Sequence, residues 1–157
     1  MNKRYVIYMT LFIALVLEVL PMPLDLVVYR PEWLLLVLIY WNIALPQRVN
    51  IGIAFICGII LDILLGNSLG LNSLALVISV YISSLHYQRL RNYSIWQQMA
   101  ILGLLCALYN LIIFWLQHWL TDVLFQFTYF WPILTTVFLW PWLFWLLRKI
   151  RRQLDLK

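Results

Sequence analysis

The sequence predicts an all-α integral membrane protein of six transmembrane helices, and three observations lead there. Of its 157 residues, 65% are hydrophobic, against about 45–50% apolar usage in ordinary soluble domains. The apolar residues gather into six runs, at 5–20, 31–45, 51–65, 69–85, 96–119 and 130–147, and a spanning helix needs roughly 20 residues. Lys and Arg fall almost wholly on one side of those runs. The chain, 1–157, therefore reads as a single six-helix transmembrane domain with short loops, with no room for a soluble enzyme domain.

The first run follows Lys3 and Arg4 and has no small-residue cleavage site; Pro21-Met22-Pro23 and then Asp25 end it. It reads as a retained span and not as a signal peptide, since proline removes a donor and restricts the residue before it. The second begins at Arg30-Pro31-Glu32-Trp33, where proline suits a first turn and Glu32 complements the positive end of the helix dipole; it ends near Leu45-Pro46-Gln47-Arg48. Gly66-Asn67-Ser68 closes the third and the polar stretch 86–92 closes the fourth, so these two form a tight helical hairpin. Thr121-Asp122 separates the fifth from the sixth. Pro141, inside the sixth, removes the bond to the carbonyl of Val137 and predicts a kink.

Orientation follows from the cations. Lys3, Arg4, Arg48, Arg89, Arg91, Arg148, Lys149, Arg151, Arg152 and Lys157 lie on one side of six spans and Arg30 alone on the other. A missed or invented span would swap the side of every later loop, so ten to one supports six spans with both termini in the cytoplasm. Several of the nine Trp residues, among them Trp33, Trp96, Trp119 and Trp131, stand near span ends, where an amphipathic ring prefers the headgroup level.

In a soluble protein a net charge of +5 would suggest nucleic acid. Here the cations flank apolar runs and follow the topological rule, so no nucleic-acid partner is expected. Cys57 and Cys106 sit in separate apolar runs without a nearby His or second Cys, as buried filler and not as a metal or redox pair. No glycine-rich phosphate loop, zinc-type His cluster or nucleophile with a base at a recognisable spacing is present. The chain is expected to be no enzyme and to need no cofactor.

The most informative segment carries Gly58, Asp62, Gly66 and Gly70, one every four residues and so on one helical face. Glycines at that spacing let a neighbouring backbone approach, and a carboxylate among them points into the bundle. Asp62 is then an ion, proton or ligand site, or it caps the following turn and fixes helix packing. The second reading carries more weight, because no second acid or His is placed to make a relay.

Glu18, Asp25, Glu32, Asp62 and Asp122 all map to the outer side. They form either an acidic vestibule or simply the acids left where Lys and Arg are excluded, with Glu18 a candidate partner of Arg30. Asn42, Asn110 and Gln117 are expected to hydrogen-bond between helices, and His86 and His118 to sit at the interface. Arg148, Lys149, Arg151 and Arg152 form a basic cytoplasmic tail suited to anionic lipid or to a protein partner.

Taken together, Arg30-Pro31-Glu32-Trp33-Leu34-Leu35, Ala44-Leu45-Pro46-Gln47-Arg48-Val49-Asn50-Ile51-Gly52, the 58–70 segment and Leu139-Trp140-Pro141-Trp142 before Arg148-Lys149 resemble the MreD family. These are bacterial rod shape-determining membrane proteins, and the likeness is to their gammaproteobacterial type, over almost the entire chain. One departure is Glu32, where the family more often carries Asp or Asn. The resemblance implies an inner-membrane component of the cell-elongation complex that directs lateral peptidoglycan synthesis, acting with MreC, MreB, RodA and its partner transpeptidase. It also implies a bundle similar to the S component of energy-coupling-factor transporters. On this reading Gly58, Asp62, Gly66 and Gly70, with Arg30 and Pro31, serve helix packing and partner binding in a non-enzymatic scaffold. The alternative is a small-molecule binding or transport module with an outward-facing site near Asp62. A membrane enzyme is the weakest reading, for want of a paired catalytic group.

Overall fold

The computed structural model describes residues 4–20, 32–44, 49–66, 70–121 and 130–153. Those residues form seven α-helices: α1 (Arg4–Val19), α2 (Trp33–Ala44), α3 (Ile51–Leu65), α4 (Leu71–Leu85), α5 (Tyr87–Asn92), α6 (Ile95–Thr121) and α7 (Phe130–Gln153). Six of them lie on the six apolar runs. The seventh, α5, occupies the stretch read as polar punctuation.

The helices form because long apolar sequences satisfy their backbone internally, and α3 is bounded by Asn50 and Gly66. Asn50 caps α3 by accepting from the amide of Ile53 at 3.3 Å, and Gly66 ends it at φ 73°. That left-handed conformation strains any residue with a Cβ. Gly70 starts α4 at φ 97° for the same reason.

Packing centres on α2, whose residues 34–43 are buried without interruption. It touches α1, α4, α5 and α7, while α3 pairs with α4, α4 with α6, and α6 with α7. A helix buried on every side shows no amphipathic stripe, so its sequence resembles that of a lipid-facing span. The outer faces are apolar too: Phe12, Ile63, Leu104, Phe138 and Trp142 are all 64% exposed or more. An apolar exterior around an apolar core is the pattern of a bundle made for a non-aqueous surround.

Two helices contain stretches long and apolar enough to cross a membrane, Ile95–Leu116 and Trp131–Gln153. The other four long helices have 12 to 16 residues, and 12 residues rise about 18 Å against a hydrocarbon core of ~30 Å. The last helix runs through Pro141. It also runs past the expected end of its apolar run at 147, so Arg148, Lys149, Arg151 and Arg152 belong to its last turns. The basic segment is a helical extension through Gln153, because nothing in 148–153 breaks a helix.

Candidate functional site

The most completely bonded polar centre is built on the α3/α4 hairpin. Asp62 is fully buried. Its Oδ2 accepts from the amide of Gly70 at 3.0 Å, and its Oδ1 accepts from the amide of Asn72 at 3.0 Å and from Asn72 Nδ2 at 2.8 Å. The Tyr109 hydroxyl then donates to Asn72 Oδ1 at 2.9 Å, which ties α6 into the same centre. A carboxylate from one helix thus caps the N-terminus of the next, where amides lack partners and the dipole is positive. Three N–H donors offset the cost of burying the charge.

The four-residue glycine series divides by role. Gly58 is the close-approach position: a Cβ there would stand 2.2 Å from Ser73 Cα, so α3 and α4 meet backbone to backbone. At Gly66 and Gly70 nothing lies within 4 Å of an added Cβ. Both residues lie beyond the end of α3, where the helical period no longer applies, and they serve turn conformation instead of packing. Arg30 and Pro31 lie outside the described residues, as do Asp25, Asp122 and any pairing of Arg30 with Glu18.

The start of α2 repeats the capping scheme. Glu18 of α1, buried, accepts from the amide of Leu34 at 3.3 Å, and the Thr136 hydroxyl of α7 accepts from the amide of Glu32 at 3.0 Å. Sequence reasoning placed Glu18 among acids of the outer side but missed its cap. The signal was available: an acid near the end of one apolar run with the start of the next helix following it, the capped amide lying 16 residues on for Glu18 and 10 for Asp62.

At the opposite end the groups are cationic. Arg91 of α5 donates from Nε and Nη2 to the Ile43 carbonyl, at 3.2 and 2.8 Å, and from Nη2 to the Ala44 carbonyl at 3.2 Å. It closes the C-terminus of α2, where a cation suits the dipole. Gln98 Nε2 donates to the Leu90 carbonyl at 2.8 Å, and Trp140 Nε1 donates to Gln98 Oε1 at 3.3 Å. Between these elements lies a cleft of about 370 Å³ bordered by Tyr40, Arg91, Trp140, Phe144, Arg148 and Arg151.

The remaining candidates bond or pack within the chain. Asn42 Nδ2 donates to the Val49 carbonyl at 2.8 Å, and Asn110 Nδ2 turns back to the Cys106 carbonyl of its own helix at 2.9 Å. The Gln117 side chain lies outside the described residues. Cys57 and Cys106 are buried free thiols. His86 Nδ1 meets the Ile82 carbonyl at 3.1 Å, and His118 stacks on Phe114. Among the described residues no three His, Cys, Asp or Glu are placed to hold a metal ion.

An all-helical bundle with an apolar exterior, whose buried carboxylates Asp62 and Glu18 bond the starts of helices, defines a membrane-associated structural protein. The profile of the family described as rod shape-determining protein MreD matches residues 1–150. The rod shape-determining protein MreD of Haemophilus influenzae is 40% identical over 144 residues, which cover 92% of this chain and 89% of that protein. The chain belongs to the MreD family of rod shape-determining proteins. No solved structure matches it at a significant level.

Proposed function

We propose that this protein is a non-enzymatic scaffold of the bacterial cell-elongation complex, a single six-span domain over 1–157 in the inner membrane with both termini in the cytoplasm. It binds the transmembrane helix of MreC in grooves between its own helices. Through that contact it joins MreB, RodA and RodA's partner transpeptidase in directing lateral peptidoglycan synthesis. The family match over residues 1–150 carries the reading. It is supported by the ten-to-one cation bias and by the engagement of Asp62 with its own chain. Gly58 and Asp62 hold the α3/α4 hairpin, Gly66 and Gly70 its turn, and Arg30 and Pro31 order the outer entry to α2. A bundle like the transporter S component belongs to the same proposal.

The test is detergent co-purification with tagged MreC at matched membrane levels, comparing the unaltered chain with Asp62→Ala and Gly58→Leu. Capture by the unaltered chain, reduced at least tenfold in both variants, is the expected result. Equal capture by all three chains would place the partner site away from the hairpin. A failure of the unaltered chain to capture MreC would refute the assignment.

A further inference from the structure

We propose that the cleft among α2, α5, α6 and α7 is a binding site for a phosphate group, presented by an anionic lipid headgroup, with Arg91, Arg148, Arg151 and the Tyr40 hydroxyl as its ligands. Arg148 and Arg151 are three residues apart on α7 and share a face. Arg91 reaches the same cleft from α5. Three like charges around one small volume repel one another unless an anion joins them. The described residues supply none: their acids, Glu18, Glu32 and Asp62, stand at the other end of the bundle, and Asp155 lies outside the described part.

The donors suit phosphate. Arg91 is held in place by the bonds of its Nε and Nη2 to the end of α2, while its Nη1 makes none among the described residues. A guanidinium fixed in this way presents a preorganised fork to a multi-oxygen anion. The hydroxyl of Tyr40, a residue only 2% exposed that borders the cleft, is buried without a hydrogen-bond partner among the described residues. Such a group is costly unless a ligand completes it.

The cleft also has the volume of a small-molecule site, typically ~300–1,000 Å³, and an apolar wall of Ile95, Trp140 and Phe144. A ligand with a charged head and a hydrocarbon body matches both halves. Lipid is the source that the position favours, since cations at the ends of spans meet headgroups. This rests on the reading that the helices lie in a bilayer.

The experiment reconstitutes the full chain in nanodiscs of phosphatidylcholine with a graded fraction of phosphatidylglycerol and counts retained phosphatidylglycerol by native mass spectrometry. Arg148→Gln/Arg151→Gln is expected to lower retention about tenfold, the loss of one good charge-assisted contact or more, and Tyr40→Phe about threefold. Arg89→Gln/Lys149→Gln, which removes the same charge outside the cleft, is expected to stay within about twofold.

Equal losses in both charge pairs would overturn the site in favour of diffuse attraction, and no loss in any variant would overturn it outright. In a parallel arm, inorganic phosphate is titrated onto phosphatidylcholine nanodiscs and the thermal midpoint read. Stabilisation that depends on Arg148, Arg151 and Tyr40 there, without phosphatidylglycerol retention, would keep the phosphate site and assign it a soluble source. Failure of the chain to enter nanodiscs would overturn both this proposal and the membrane-spanning reading, whereas entry without headgroup preference would overturn this one alone.

Discussion

The two ends of the bundle solve the same problem with opposite charges and different finish. At one end Asp62 and Glu18 reach across from the preceding helix to the N-termini of α4 and α2, and both are buried. At the other, Arg91 reaches to the C-terminal carbonyls of α2 from an exposed position on a six-residue helix. Each sign matches the dipole it faces. The acidic capping at Asp62 is internally complete, with three donors on one carboxylate, whereas the basic end keeps an open cleft and a buried hydroxyl without a partner among the described residues. A saturated polar centre holds a fold together, and an unsaturated one awaits something else.

That contrast orders the expected effects. Asp62→Ala strands three donors, two of them buried, and should lower unfolding free energy on the order of 3–5 kcal/mol, since each buried unsatisfied group costs about 1–3 kcal/mol. The loss would be read as a collapse of the thermal midpoint in detergent. A midpoint within a few degrees of the unaltered chain would mean that water or another group replaces the cap, and the contrast between the ends would go with it.

Gly58→Ala forces a methyl against the Ser73 backbone and should cost ~1–3 kcal/mol through strain in a close-packed contact. Gly66→Ala, with open space around it and a left-handed φ, should cost nearer ~1 kcal/mol from conformation alone. Paired thermal melts would sharpen the division of the glycine series; a reversed order would break it. Arg91→Met should cost least, about 1 kcal/mol or below, because an exposed cation at a helix C-terminus is screened. Its midpoint should move less than that of either hairpin variant.

How far the sequence reached depended on whether a signal was local. Helix α3 sits at 51–65 as expected, because Asn50 and Gly66 punctuate an unbroken apolar run. Helix α5 was hidden because six residues, three of them Gln or Arg, are too few to show a periodicity. The charges at 148–152 looked like a tail since composition changes there, yet helix propensity does not. Asp62 could be placed on a face with Gly58, but its capping of α4 depends on how the hairpin closes. That long-range register no spacing within α3 reveals. Tyr40 and Arg91 are separated by 51 positions in the chain, and only the fold brings them to one cleft.

The contact of Gly58 with Ser73 acts as a key in a keyway. Sliding α3 one turn along α4 would present Ala54 or Asp62 to the Ser73 backbone in place of Gly58, and neither can enter a gap that excludes even a methyl. Only one alignment lets the two backbones meet. In that alignment, and in no other, the carboxylate of Asp62 arrives at the amides of Gly70 and Asn72, so a residue without a side chain selects the address to which a charged one is delivered.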